Sequence, residues 1–232
     1  AQFTDVTKEA GIDNIYDVYQ GLFGGGVVAF DYNNDGFEDL YITGGQSQDV
    51  LYKNNGDGTF TDVIKESGLF KDRIIVTTGV SSADVNKDGY IDLLITTIAS
   101  EDNKTKKKKT LSPNLLFLNN GDGTFTDVGS KFGLTKNNFS TSSSFGDINA
   151  DGYPDLFIGN YFKNFYFEDS PFGTHNIALL NHYSINEEYE TGDDELYLNV
   201  DGKYFEDVSD LLIDAGKGYG FGGVFTDFDN DN

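Results

Sequence analysis

Oxygen-bearing side chains recur at alternate positions in three short stretches: Asp31-Tyr-Asn-Asn-Asp-Gly-Phe-Glu-Asp39, Asp84-Val-Asn-Lys-Asp-Gly-Tyr-Ile-Asp92 and Asp147-Ile-Asn-Ala-Asp-Gly-Tyr-Pro-Asp155. A fourth copy begins Asp227-Phe-Asp-Asn-Asp231 and has Asn232 where the others have glycine. Such spacing lets carboxylate and amide oxygens bend around one centre. A hard cation needs that arrangement, and Ca²⁺ takes six to eight oxygens at roughly 2.3–2.6 Å. The pattern assigns side-chain oxygens to Asp31, Asn33 and Asp35, the sharp turn to Gly36, an inward carbonyl to Phe37 and the closing carboxylate to Asp39. The same roles fall to Asp84, Asn86, Asp88, Tyr90 and Asp92, then to Asp147, Asn149, Asp151, Tyr153 and Asp155. In the fourth copy Asp227, Asp229 and Asp231 are in phase and the closing acid is missing, so three complete calcium sites and one incomplete site are expected. Magnesium prefers tighter octahedral sites that retain several waters.

An EF-hand loop starts with the same spacing but requires a bidentate acid at its twelfth position and flanking helices. Position twelve is here Ile42, Ile95 and Ile158. The flanks are short β-branched and aromatic runs, so the loops join strands. A metal-free Asx-rich turn accounts for one copy more easily than for three.

A second phrase repeats in step with the first. Leu51-Tyr-Lys-Asn-Asn-Gly-Asp-Gly-Thr-Phe-Thr-Asp-Val63 returns as Leu116-Phe-Leu-Asn-Asn-Gly-Asp-Gly-Thr-Phe-Thr-Asp-Val128 and, more loosely, as Leu196-Tyr-Leu-Asn-Val-Asp-Gly-Lys-Tyr-Phe-Glu-Asp-Val208. Asn-Gly and Asp-Gly between apolar runs predict tight hairpins. One repeat therefore holds four strands, near 26–31, 38–44, 49–54 and 59–64 in the first, with the calcium loop between the first two and the hairpin between the last two. Repeated four-stranded units predict an all-β fold, a β-propeller with blades at 22–64, 79–128 and 143–208 and a partial one at 220–232. Phe3-Thr-Asp-Val6 reads as the outer strand of a preceding blade. In a meander the calcium loops and hairpins share one face, and the variable connections 65–78, 99–114, 129–142 and 159–195 share the other, where recognition is expected.

The chain resembles the FG-GAP/VCBS repeat family, the calcium-loop propellers of integrin α-subunits and many bacterial secreted proteins. Phe23-Gly-Gly-Gly26 and Gly220-Phe-Gly-Gly-Val224 match its Phe-Gly-containing entry to each calcium strand. Phe3-Thr-Asp-Val-Thr7, Ala10-Gly-Ile12 and the repeated Asn-Asn-Gly-Asp-Gly-Thr-Phe-Thr-Asp-Val are more particularly similar to the cartilage-acidic-protein branch. The resemblance implies about three and a half blades of a larger, seven- or eight-bladed propeller. It also implies an extracellular role in adhesion or surface and matrix interaction, with no catalysis of its own. Two alternatives stay open: a self-assembling subunit of an extracellular filament or surface layer, and an accessory propeller of a secreted polysaccharide-active enzyme.

Composition fits these expectations. The 232 residues can bury a substantial core, and 20 Phe with 14 Tyr supply bulky packing. A net charge of −23 argues against nucleic acid and anionic membranes as partners, although each Ca²⁺ would offset two charges. There is no cysteine, so calcium replaces disulfides as the staple, and loops of this kind fill at extracellular calcium levels. The chain begins Ala1-Gln2 and contains no Met, which fits secretion or surface display after signal-peptide removal. No apolar run reaches transmembrane length, so no direct membrane insertion is expected. The chain stops inside a calcium loop, so either further sequence or partner chains are expected to complete the ring.

Nothing in the sequence assembles a catalytic constellation. His175 and His182 stand seven residues apart with no cysteine or serine-nucleophile motif near them and read as surface or packing residues. Glu187, Glu188, Glu190, Asp193, Asp194 and Glu195 read as a solvated acidic run, with a further calcium site as the alternative. Lys104 and Lys106 to Lys109 form a basic tongue, either solvated or set against an acidic neighbour such as a second copy. Asn103-Lys-Thr and Asn138-Phe-Ser fit the N-glycosylation pattern. Tyr161, Phe162, Phe165, Tyr166, Phe167 and Phe172 either pack over the propeller or form a platform for protein or glycan. Protein or glycan partners are thus assigned to the insertions 99–114 and 159–195. Deleting 162–192 is expected to abolish partner binding in a pull-down while calcium binding persists; unchanged partner binding overturns the platform.

Overall fold

The computed structural model describes residues 3–17, 24–69, 74–101, 111–162, 191–212, 220 and 222–225. The fourth calcium copy, both histidines, the lysine tongue, Asn103, Glu187, Glu188, Glu190 and the aromatics from Phe165 to Phe172 lie outside these residues. Among the described residues the strands form three antiparallel sheets, and no helix is long and apolar enough to cross a membrane.

Each sheet is a meander. The first runs β1 (Val27–Phe30), β2 (Asp39–Ile42), β3 (Val50–Asn54) and β4 (Phe60–Asp62). The second takes β5 (Ile74–Ala83) and β6 (Asp92–Glu101). The chain then passes through a two-residue β7 (Ser112–Pro113) before β8 (Leu115–Asn119) and β9 (Phe125–Asp127) complete that sheet. The third holds β10 (Asn137–Gly146), β11 (Asp155–Phe162), β12 (Glu195–Val200) and β13 (Tyr204–Asp207). β7 pairs with the start of β10, Pro113 opposite Asn137 and Ser112 opposite Asn138, so the second unit is stitched to the third sheet. The first strand of each sheet lies against the first strand of the next, β1 by β5 and β5 by β10. The architecture is an all-β partial propeller built of four-stranded units.

Burial explains the strand sequences. The middle sheet is covered on both faces, so its two central strands carry the unbroken apolar runs Leu93-Leu94-Ile95 and Leu115-Leu116-Phe117-Leu118 rather than an alternation. Leu93, Ile95, Leu115 and Phe117 face the first sheet and join Phe30, Tyr32, Tyr41, Leu51 and Phe125 in one core. Leu94 and Leu116 face the third and join Val85, Phe132, Leu156, Ile158, Tyr197 and Phe205 in another. The connectors close each seam in a repeated way. The N–H groups of Phe60, Phe125 and Phe205, one in each outer strand, donate to the carbonyls of Ala10, Ser67 and Phe132, all at 2.8 Å.

Two expectations are corrected. Phe3–Val6 is not a strand, because no neighbouring strand among the described residues pairs with it. The segment instead leads into the turn that docks Ala10 on β4. The connections 65–78 and 129–142 are partly strand, since β5 and β10 each extend to ten residues with irregular register near Thr77 and Ser140. The extra length is fastened by hydroxyls. Thr43 Oγ1 donates to the Thr78 carbonyl and Thr78 Oγ1 to the Ser140 carbonyl, each at 2.8 Å, linking successive sheets.

The far end of the sheets carries a second recurrent fastening. Asp49, ahead of β3, accepts from Gly44 N–H at 2.7 Å, Thr77 Oγ1 at 2.6 Å and Tyr41 Oη at 2.6 Å. Asn114 holds the same place in the second unit, accepting from Thr97 N–H at 2.9 Å and donating to Ser140 Oγ at 2.9 Å. Burial pushes the Asp49 carboxyl up to about 6, against the pull of its three donors. Because the folded state holds this proton more tightly than the unfolded chain, the stabilisation is complete below about pH 4 and is lost as pH rises through about 6. Asp49→Asn removes the titration. The difference in unfolding free energy between variant and wild type should move in the variant's favour by ~1–3 kcal/mol from pH 4 to pH 7.5, read by urea denaturation.

Candidate metal-binding loops

Each acidic loop joins the first two strands of its sheet, and the three are built alike. Asp31 Oδ1 accepts from Asp35 N–H at 3.0 Å and its Oδ2 from Gly36 N–H at 2.7 Å. The same pair of bonds is made by Asp84 to Asp88 and Gly89, and by Asp147 to Asp151 and Gly152. Asn33, Asn86 and Asn149 each donate to the outer oxygen of the following Asp at 2.9 Å. The glycines Gly36, Gly89 and Gly152 lie at φ 85–90°, as the turn requires. The fourth residue of every loop is also left-handed, with Asn34, Lys87 and Ala150 at φ 55–58°. Asn34 advertises that conformation; Lys87 and Ala150 give no sequence signal for it.

The closing acids Asp39, Asp92 and Asp155 are all fully buried. One oxygen of each accepts the N–H of loop residue two, from Tyr32, Val85 and Ile148. The other accepts the N–H of Asn54, Asn119 and Asn199 at 2.7–2.9 Å. Burial pushes all three carboxyls upward, Asp92 to about 7. The two N–H donors oppose this shift, and the loop's own neighbouring carboxylates add to it. A divalent cation among these acids would relieve that repulsion.

The donor set is all oxygen: three aspartates, one asparagine and the carbonyl of Phe37, Tyr90 or Tyr153 in each loop. That chemistry fits a hard cation. Among the described residues no three acidic or imidazole side chains converge by themselves on one point, and the carboxylates rest on backbone N–H groups. The fit therefore rests on the donor chemistry and the buried closing acid. Asp227, Asp229 and Asp231 lie outside the described residues.

The residue that sequence reading passed over is the asparagine at the end of the third strand of each sheet. Besides its N–H bond to the closing acid, Asn119 donates Nδ2 to the Tyr32 carbonyl of the preceding loop at 2.7 Å. Asn199 does the same to Val85 at 2.8 Å. The signal was present, since Asn54, Asn119 and Asn199 hold one place in the repeated hairpin phrase. Successive loops also touch, Asn34 Nδ2 donating to the Gly89 carbonyl at 3.2 Å and Lys87 Nζ lying 4.0 Å over the Tyr153 ring.

At the opposite end, two readings change. Glu195 is buried, not solvated. It accepts from Tyr197 Oη at 2.6 Å, from Asn160 Nδ2 at 3.3 Å and from Asn138 Nδ2. Asp194 accepts from Asn160 N–H at 2.8 Å, so both acids fasten β11 to β12. The Asn138 amide of β10 is thereby engaged by Glu195 of β12. Tyr161 is buried against Phe139, with ring centroids 6.1 Å apart, and belongs to the core rather than to a platform.

Loop and hairpin sit side by side, with the aromatic of the loop covering the hairpin glycine. A Cβ on Gly121, at φ 75°, would come 2.7 Å from the Tyr90 ring. Gly121→Ala should therefore displace Tyr90 and destabilise the fold by ~2–3 kcal/mol in urea unfolding, whereas Gly36→Ala, which faces open space, should cost ~1 kcal/mol of backbone strain.

The FG-GAP-like repeat family matches this chain at residues 31–95 and 97–158. Cartilage acidic protein 1 of Xenopus tropicalis is 31% identical over 91 residues, which cover 39% of this chain and 13% of that relative.

Proposed function

Since the chain belongs to the FG-GAP-like repeat family, we propose that it is an extracellular calcium-binding propeller segment that acts as a binding or assembly scaffold and performs no catalysis. The observation that carries this reading is the threefold recurrence of one loop, each copy closed by a fully buried aspartate surrounded by N–H donors and like charges. Asp31, Asn33, Asp35, Asp39 and the Phe37 carbonyl would hold the first ion, with the matching residues of the other loops holding theirs. Bound calcium would supply charge neutralisation among the loop's acids. The protein's own groups orient the oxygens and bind the hairpin to the loop.

The similarity to a protein named for cartilage supports a secreted or surface setting, and the net charge of −23 suits calcium-rich surroundings. Protein or glycan partners are assigned to the face opposite the loops. A second reading, assembly, is favoured by Ile148. It is 44% exposed, while Tyr32 and Val85, its counterparts, are 7% and 0% exposed beneath the next unit. That apolar surface suits one more hairpin unit, which a second chain could supply.

Native mass spectrometry with and without a chelator, joined to thermal melting, tests both readings. At free calcium a hundredfold above Kd each site adds about 2.7 kcal/mol, so three loops should raise the melting temperature strongly and three ions should appear in the mass. A mass and a melt indifferent to calcium overturn the calcium reading. Calcium-dependent multimers support assembly, and a strict monomer overturns it.

A further inference from the structure

We propose that Lys53 makes the first loop the weakest of the three calcium sites, an inference that rests on the calcium reading above. The three loops share their internal hydrogen bonds almost distance for distance, so the frame that presents their oxygens is the same. The loops differ at position four (Asn34, Lys87, Ala150), at position eight (Glu38, Ile91, Pro154) and in the residue on the neighbouring third strand, and it is the third-strand residue of the first sheet that forms an ion pair with a ligand acid among the described residues. Immediately before the asparagine that donates to the closing acid stand Lys53 in the first sheet, Leu118 in the second and Leu198 in the third. Lys53 Nζ lies 3.4 Å from Asp35 Oδ2, the outer oxygen of the third ligand residue, and shares that oxygen with Asn33 Nδ2 at 2.9 Å. Among the described residues this is the ion pair that engages a loop acid.

The ammonium opposes loading in two ways. In the metal-free loop it neutralises part of the negative charge that draws the cation in. In the loaded loop it remains one carboxylate away from a dication, close enough for direct repulsion. Partial exposure of both partners lets water screen the effect, which keeps it to about three- to tenfold in affinity. Lys87, the fourth residue of the second loop, lies over the Tyr153 ring and beside Gly152 of the third loop, and among the described residues it forms no ion pair with a ligand acid. The first loop would then fill last, and at intermediate calcium the chain would carry ions in its second and third loops only.

Calcium titration of the full chain by isothermal calorimetry tests this on wild type, Lys53→Leu and Lys53→Arg. The leucine variant carries the residue type of the other two units. It should tighten the weakest step about three- to tenfold and leave the stronger steps unchanged, while the arginine variant should keep the weak step. In an Asp31→Ala background, which disables the first loop, Lys53→Leu should change nothing. A weakest step unmoved by Lys53→Leu, or one that moves equally in the Asp31→Ala background, overturns the inference while leaving the calcium reading intact. A wild-type chain that takes up no calcium overturns the calcium reading itself, and this inference with it.

Discussion

Three buried aspartates at the heads of the second strands hold the rest of the molecule in place. Burying a carboxylate is costly unless its oxygens are satisfied, and here each acid receives one N–H from its loop and one from its hairpin. Those two bonds fix where the loop begins and where the third strand ends. The loop between them is thereby held at both its second residue and its closing acid. Without this anchor neither the geometry of the acidic loop nor the seat of the hairpin is determined.

The seams between sheets combine an apolar interior with polar fastenings at both ends. At the loop end Asn119 and Asn199 reach back to the preceding loop. At the other end Asp49 and Asn114 tie the start of the third strand to the next unit's first strand, and Thr78 links neighbouring inner strands. The apolar middle supplies the bulk of the adhesion, because residues such as Leu93, Leu94, Leu116 and Leu156 are fully buried. The polar ends fix the angle, since hydrogen bonds tolerate little misalignment.

Much of this was legible in the sequence because it depends on local rules. The D-x-N-x-D-G spacing, the Asn-Gly and Asp-Gly turns and the apolar runs each act over a few residues, and the strands appear where those signals place them. Other features depend on neighbours distant in sequence. The extra length of β5 and β10 comes from Ser and Thr residues, whose composition resembles a loop until a facing strand is present. Glu195 sits at the end of an acidic run that reads as solvent-facing, yet Tyr197, Asn160 and Asn138 enclose it. Phe3–Val6 carries the strand pattern of its counterparts and has no strand beside it among the described residues. The Lys53–Asp35 pair joins two strands and a loop, so no spacing rule announces it. In the candidate site the three loops were readable from their spacing, while the asparagine beside each closing acid needed the fold to reveal its two roles.

The bonds from Asn119 and Asn199 end on main-chain carbonyls, of a tyrosine in one case and a valine in the other. The connector bonds to Ala10, Ser67 and Phe132 do likewise. Recognition between units thus reads backbone shape and ignores which side chain the acceptor bears. A duplicated or transplanted unit would find the same receptacle on any predecessor that bends through the same turn. Gene duplication and unequal crossover can therefore lengthen or shuffle such an array without compensating substitutions at these backbone-read contacts, and each copy's exposed connections are free to diverge.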